Sequence, residues 1–406
     1  MPLGIYISVP FCRTKCSYCN FASDVFSRAV FERYVDRVCA DIRSAPEIAE
    51  KMGGQIERAV DSVYLGGGTP TVLEPSQLRR IFAAVRSQFD VAPDAEITVE
   101  CAPGTLTGPT LEGLVSCGVN RVSLGVQSFV DREAAAVGRQ HKCKTVLDDI
   151  AQLRASGISN LNVDLIAGLP HQTAESWKVS LAETISTGAP HVSVYMLEMD
   201  EDSRLGRELL AGGTRYHAHF VPDDGATVDF YLTACEQLDV AGIAQYEISN
   251  FARAGFESRH NLKYWTRQPY FGFGVDAHSM LLAATDDLNA VRFAPADSLE
   301  KYISGAALHK TSVSRAAAVE ESFFLGLRLN RGVRLREIAA SFGENCLKHS
   351  HAAIAELIED GLMERAGDFI RLTSRGRLLS NDVFEKFILL EEPCLDALSS
   401  NRKVPV

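Results

Sequence analysis

Three cysteines fall within eight residues in the run Val9-Pro10-Phe11-Cys12-Arg13-Thr14-Lys15-Cys16-Ser17-Tyr18-Cys19-Asn20-Phe21. Thiolates are soft ligands, and a C-x3-C-x2-C loop can hold three corners of a [4Fe–4S] cube while the fourth iron stays open. Structural zinc asks instead for four closed ligands, commonly with a second Cys or His pair. No such pair is present, and the interleaved Arg, Thr, Lys and Ser suit free core cysteines poorly. The remaining seven cysteines (Cys39, Cys101, Cys117, Cys143, Cys235, Cys346 and Cys394) are scattered. Ten in 406 residues are too few for a disulfide scaffold, so the cluster points to metal or redox chemistry in a reducing compartment.

The triplet must be positioned by something, and the chain supplies a repeating unit. Strand-like apolar runs occur at Leu3–Val9, Ser62–Leu65, Glu96–Glu100, Arg121–Val126, Leu161–Ile166 and His191–Leu197. Helix-like stretches, among them Arg33–Ala49, Pro75–Phe89, Thr145–Ser156 and Ala174–Thr187, lie between them. Alternating strand and helix predicts a parallel α/β sheet with right-handed crossovers, and six units fit an open barrel better than a closed eight-stranded one. Chemistry in such barrels sits at the strands' C-terminal ends, so unusual polar residues should follow the runs. They do: the cysteine loop, then Gly66-Gly67-Gly68-Thr69-Pro70, Glu100, Gln127 with Arg139 and His141 beyond it, and Asp164. The glycines let backbone approach a ligand closely, and an arginine can clamp a carboxylate.

Beyond about residue 200 the pattern loosens. A helix is expected over Thr227–Ala241, followed by a loop-rich aromatic stretch from Gln245 to Met280. From Val319 onward, helices at Arg334–Ser341 and His351–Asp360 precede a hairpin of Gly361–Glu364 and Phe369–Leu372, a winged-helix-like order. Three units are therefore expected: a partial barrel over 1–200, an α+β extension over 201–318 and a winged-helix-like domain over 319–406. The net charge of −11 argues against a nucleic-acid binder, and residues 331–390 carry nine basic and nine acidic residues, so the wing has no basic face. No apolar run is long enough to span a membrane, and MPLGIYISVP lacks the basic and apolar regions of a signal peptide, which predicts a cytoplasmic chain.

A cysteine triplet of this spacing after a first strand resembles the signature of the radical S-adenosylmethionine (SAM) superfamily, whose fold is a partial (βα)6 barrel. The resemblance implies a cluster on Cys12, Cys16 and Cys19, with SAM chelated at the open iron and its sulfonium cleaved by an electron from the cluster. GGGTP, GVQSF, GRxH and DLIxGLP, in this order, narrow the resemblance to the subfamily of oxygen-independent coproporphyrinogen III oxidases and HemW-type haem chaperones. Carried over motif by motif, it implies that Tyr6, Gly67, Gly68, Thr69, Glu100, Gln127, Arg139 and Asp164 line the SAM region. In the oxidases several of these positions hold a second SAM.

Three features favour the chaperones over the oxidases. The oxidases continue the triplet as C-x3-C-x2-C-x-C, whereas position 21 here is Phe; they carry an N-terminal extension, whereas five residues precede Tyr6; and His260-Asn261-Leu262-Lys263-Tyr264-Trp265 matches the chaperones' H-N-x-x-Y-W haem motif. An imidazole can ligate haem iron, and Tyr264 and Trp265 offer flat faces to a porphyrin. His278 is a second candidate ligand, while His141 belongs to the pocket's architecture. The resemblance thus implies haem as ligand, apo-haemoproteins as recipients (membrane respiratory enzymes among them), peripheral membrane approach on delivery and cluster-dependent dimerisation. The alternative is a radical decarboxylase of coproporphyrinogen III, and no catalytic residue is assigned.

Overall fold

Six parallel strands alternate with helices along the first half of the chain: β1 (Leu3–Val9), β2 (Ala59–Gly67), β3 (Asp90–Cys101), β4 (Arg121–Gln127), β5 (Asn160–Ala167) and β6 (His191–Met196). The computed structural model describes residues 1–198, 200–285, 288–348 and 350–388. Each strand alternates with period two. On β1, Leu3, Ile5, Ile7 and Val9 are fully buried and join one core with Phe31, Tyr34, Val35, Val38 and Ile42 of the helix Arg28–Arg43. Gly4, Tyr6 and Ser8 face the other way, into the barrel, where Ser62, Tyr64, Asn162 and Asp164 of β2 and β5 also point. An outer apolar set and an inner polar set on the same strands give a barrel with a wet-chemistry lumen and a hydrophobic jacket.

The strands were placed by their apolar runs, and the structure extends most of them by a few residues. The expected single helix at 33–49 is two, Arg28–Arg43 and Ala45–Met52. Pro46 sits in the first turn of the second, where its missing N–H costs nothing, and it could not have continued the first.

The region after β6 does not stand apart from the barrel. β7 (Ala244–Gln245) and β8 (Asn250–Ala252) add antiparallel to β6, while β9 (Tyr270–Phe273) adds parallel to β1 and is followed by β10 (Ser279–Leu282), β11 (Ala290–Ala294) and β12 (His309–Val313). The sheet order is β12-β11-β10-β9-β1-β2-β3-β4-β5-β6-β8-β7, so the six-stranded barrel is the middle of a longer open sheet. The stretch expected to be loop-rich contains β8, β9, the start of β10 and a helix, Arg259–Trp265. A seven-residue helix and two- to four-residue strands hold too few periods to register as a pattern.

That helix closes the barrel's floor, at the starts of the strands. Lys263 Nζ bonds Pro2 O at 2.8 Å and pairs with Asp61 at 2.7 Å. The Glu96 carboxylate accepts from the backbone N–H of Arg259 and His260 at 3.0 and 3.1 Å, anchoring the helix N-terminus to β3.

The C-terminal part has its own core, with Phe323, Ile354, Leu357, Ile370 and Val383 at its centre. Helices Leu335–Phe342 and Ser350–Glu359 pack with a small sheet of β13 (Val333–Arg334), β14 (Met363–Ala366) and β15 (Phe369–Leu372), in the order β13-β15-β14. Cys394 lies outside the described residues. This winged-helix-like domain is fastened to the floor: Arg328 lies 4.2 Å over the Trp265 ring and 3.8 Å from the fully buried Glu247, and Glu321 pairs with Arg267 at 2.9 Å and Arg292 at 3.1 Å. Removing one member of a buried ion pair strands the other's charge. Arg328→Ala should therefore lower the stability of the full chain by about 3–5 kcal/mol, read by urea denaturation, and adding Glu247→Met should restore most of it.

Candidate active site at the barrel mouth

The cysteine loop leaves β1 and is tied down on both sides. Cys12 N bonds Asp24 O and Asp24 N bonds Pro10 O, each at 3.0 Å; Ser17 N bonds Val137 O at 3.1 Å; and Leu205 N bonds Ser17 O at 2.8 Å. Phe11 stacks on Phe31 at 3.8 Å, which fixes where the loop begins. The glycine segment runs beside it, with Gly68 N donating to Val9 O and Thr69 N to Phe11 O, both at 2.8 Å. A Cβ on Gly68 would stand 2.7 Å from Val9 O and 2.8 Å from Phe11 O, so only glycine permits this approach.

The donor set suits an iron–sulfur cube. Burial raises the Cys12 and Cys19 thiols above their ordinary value, which keeps them protonated until metal displaces the proton. Thr69 Oγ1 donates to Cys12 Sγ at 3.9 Å, and Arg139 Nη1 donates to Cys16 Sγ at 3.6 Å, a contact that supports a thiolate. Among the described residues no group of three or more His, Cys, Asp or Glu side chains is placed to grip a single metal ion, whereas a cube takes one thiolate at each separate corner.

The expected SAM residues gather around the same mouth. Glu100, at the end of β3, accepts from Tyr64 Oη at 2.9 Å and from Gly67 N at 3.0 Å. Burial and the neighbouring Asp164 push its carboxyl up to about 7. Asp164 is also raised by burial, although Ser123 and Asn162 donate to it at 3.0 and 2.7 Å. Two desolvated carboxylates so close together favour a ligand that brings positive charge and hydroxyl donors, as SAM does. A Cβ on Gly67 would meet Ser8 Oγ at 2.9 Å and Tyr6 Oη at 3.3 Å, so Tyr6 flanks the glycine segment. Gln127 holds a left-handed backbone (φ 68°), unusual for glutamine and a local strain at the mouth.

Arg139 is arranged differently from the free clamp expected of it. Its Nη1 is on Cys16 and its Nη2 on Gly125 O, which leaves Nε buried with no hydrogen-bond partner. That buried Nε–H, together with the second protons on Nη1 and Nη2, is donor capacity left for a ligand. His141 bonds Val126 O at 3.1 Å, and burial beside Arg139 pushes it down to about 4, so it is a neutral strut.

The haem motif lies at the opposite end. His260 is 1% exposed; its Nδ1 is 3.1 Å from Ser62 Oγ, its Nε2 2.8 Å from Tyr264 Oη, and burial with Lys263 and Arg121 pushes it down to about 3. Trp265 is buried under Arg328 and against Leu325 and Leu329. The open porphyrin face expected of His260, Tyr264 and Trp265 is thus not presented in this conformation, because both imidazole nitrogens and both rings are taken up by the floor. His278, beyond the C-terminal end of β9, is exposed and 3.6 Å from Asp276.

Several groups at the site escaped the sequence reading. Arg204, from the helix Arg204–Leu210, reaches Lys15 O and Cys16 O behind the cysteine loop. Within the lumen, Asn162 bonds Ser123 and Ser193 at 2.8 and 3.0 Å, and His191 joins Asn162 to Tyr246 at 2.6 and 3.0 Å. Their signal was the alternation Asn162-x-Asp164 and His191-x-Ser193 inside otherwise apolar strands.

A partial barrel with a three-cysteine loop at its mouth and a small winged C-terminal domain defines a radical SAM protein of the HemN type. The radical SAM superfamily profile matches residues 6–183, and that of the HemN C-terminal domain matches 313–379. Similar proteins include the haem chaperone HemW of Lactococcus lactis (32% identical, covering 96% of this chain and 98% of that one) and of Escherichia coli (30%, 95% and 98%). Coproporphyrinogen III oxidase (HemN) from Escherichia coli shares the fold at TM-score 0.80, with 24% identity over 95% of this chain and 90% of that one. The chain belongs to the HemW family of the radical SAM superfamily, whose cofactors are a [4Fe–4S] cluster and SAM.

Because the folded Glu100 carboxyl, at about 7, holds its proton more tightly than an ordinary glutamate at 4.5, its contribution to stability is lost as pH rises through that interval. Glu100→Gln keeps an acceptor for Gly67 N and removes the buried charge. At pH 8 the SAM-free variant should be more stable than the parent by on the order of 2–3 kcal/mol, with the gain vanishing near pH 4, as measured by denaturation at each pH.

Proposed function

We propose that this protein is a haem carrier: it binds haem, holds a [4Fe–4S] cluster and SAM at the barrel mouth, and hands haem to apo-haemoproteins. The observation that carries the reading is the similarity to HemW haem chaperones along 96% of the chain and 98% of theirs. Phe21, where the oxidases have a further cysteine, supports it.

Cys12, Cys16 and Cys19 would hold the cluster, and Tyr6, Gly67, Gly68, Thr69, Glu100, Gln127, Arg139 and Asp164 would line the SAM pocket. The cluster supplies an open iron for SAM and an electron for its sulfonium. The chain's own residues do the rest: Arg139 holds charge against Cys16, the Gly66–Gly68 backbone lies close against the cysteine loop, and the Glu100 and Asp164 carboxylates accept from the ligand's donors.

Haem is assigned to His260, Tyr264 and Trp265, which requires the helix Arg259–Trp265 to leave the floor; the exposed His278 is the alternative ligand. Recipients include membrane respiratory enzymes, reached from the cytoplasm by peripheral contact, and the cluster loop supports a dimer. Among the described residues no helix is long and apolar enough to cross a membrane.

The test is anaerobic reconstitution followed by haem titration and a coproporphyrinogen assay on one sample. The expected result is a stable haem Soret band, weakened in His260→Ala and Trp265→Ala, with no decarboxylated product. Turnover of coproporphyrinogen III at a catalytic rate would make the protein an oxidase. Loss of the band in His278→Ala alone would move the haem ligand to the barrel's other end.

A further inference from the structure

His260 lies deep in the lumen, yet its ring does not stop at the floor. It stacks on Tyr64, with ring centroids 5.3 Å apart and planes 28° from parallel, and its two nitrogens are held by Ser62 and Tyr264 at 3.1 and 2.8 Å. Tyr64 in turn sends its hydroxyl 2.9 Å to Glu100 Oε1, whose other oxygen accepts from Gly67 N. Tyr6 flanks the same stack, 6.2 Å from Tyr64 and 6.4 Å from His260. A rigid column therefore runs from the floor to the mouth: Ser62 and Tyr264, His260, Tyr64, Glu100. His260 is buried and Tyr64 and Tyr264 are half-buried against it, so each ring is restrained by its contact with the next.

We propose that His260 is a positioning residue for the SAM pocket, holding Tyr64 so that its hydroxyl orients the Glu100 carboxylate toward the ligand. The proposal rests on the assignment of Glu100 to SAM. It gives the histidine a role in this conformation that excludes iron: to ligate haem, Nε2 or Nδ1 would have to release its hydroxyl partner and the ring would have to leave Tyr64. Haem taken at His260 and SAM held at Glu100 therefore oppose each other, and by reciprocity each weakens the other's binding.

The groups that face Glu100 set the readout. Tyr64 of β2 donates to it, Asp164 of β5 repels its charge, and the hydroxyls of Tyr6 (β1), Tyr195 (β6) and Tyr264 (floor helix) stand near enough to feel it. Among the described residues, the Tyr64 hydroxyl and Gly67 N donate to the carboxylate and favour its ionised form. Displacing Tyr64 should therefore move the ionisation of Glu100 upward, and SAM affinity, which needs the carboxylate, should follow it.

The experiment measures SAM binding by equilibrium dialysis from pH 5.5 to 8.5 on the full-length reconstituted chain and on Glu100→Gln, Tyr64→Phe, His260→Ala and the Tyr64→Phe/His260→Ala pair. The expected result is affinity that rises with pH in the parent, about tenfold weaker binding at neutral pH in each single variant, and a midpoint displaced to higher pH in both Tyr64→Phe and His260→Ala. The pair should look like Tyr64→Phe alone, since the histidine acts through the tyrosine. Should His260→Ala fail to fold, Tyr264→Phe, which removes the Nε2 partner only, should show a smaller displacement in the same direction. An unmoved midpoint in His260→Ala and Tyr264→Phe, or fully additive effects in the pair, would overturn the proposal while Glu100→Gln still weakens SAM. Unchanged SAM affinity in Glu100→Gln would instead overturn the pocket assignment beneath it.

Discussion

The parallel pairing of β1 with β2 carries the site. Its register sets Val9 opposite Gly67, and the two strands leave the sheet side by side. The next residues remain zipped, because Gly68 N reaches Val9 O and Thr69 N reaches Phe11 O. The cysteine loop and the glycine segment are thus one structure made of two chain segments about fifty residues apart. A side chain at Gly68 would strike backbone on the cysteine strand, so the glycine is required by the packing of the protein itself, before any ligand is considered. The thiols of Cys12 and Cys16 then receive their donors, Thr69 and Arg139, from elements that this pairing has already fixed.

The lumen presents the opposite physical problem. Glu96, Glu100, Arg121, Asp164, His191, Glu247 and His260 are all buried or nearly so, and burial disfavours the charged forms of Glu100, Asp164, His191, Glu247 and His260. The fold resolves this by hydrogen bonding. His191, Asn162, Ser193 and Asn250 are joined in one network at the lower end of β5 and β6, and Glu96 is satisfied by the N-terminus of the floor helix. What is left unsatisfied is informative. Arg139 Nε lies at the mouth beside Cys16 with no partner, and the Glu100 carboxyl sits near neutrality where a cationic ligand would ionise it. Unmet capacity is thus present at the mouth, as it is toward the floor, where Arg121 Nε and Trp265 Nε1 are also buried without a hydrogen-bond partner.

Legibility in the sequence followed the length and regularity of each signal. Six strands of six to twelve residues, each with an apolar face, announced the barrel, and β1 was placed to the residue. The mouth was legible for the same reason, since Cys12, Gly67, Glu100 and Gln127 each follow or end a readable strand and Asp164 lies within one. The two- to four-residue strands β7 to β9 were not, because one or two side-chain alternations cannot be told from a loop. Arg139 was legible as a cation near the mouth but not as a partner of Cys16, a contact across 123 residues that no local pattern encodes. The motif around His260 read as an open haem face because its residue types suit a porphyrin. Its burial comes from Ser62, Glu96 and Arg328, which stand far away in the chain.

That burial also assigns the winged C-terminal domain a physical task. Trp265 is covered by Arg328, Leu325 and Leu329, and Arg267, two residues further on, is paired with Glu321; all four covering residues belong to the helix Arg315–Gly326 or the turn after it. The floor helix is therefore held from two sides, by Lys263 and Glu96 on the barrel and by this clasp from the C-terminal side. The barrel contacts are backbone and ion-pair anchors at the strand starts, whereas the clasp is a stacked guanidinium that also pairs with buried Glu247, two leucines and the largely buried Arg267–Glu321 pair. The winged domain is thus the element that covers the Trp265 end of the floor helix from outside the barrel.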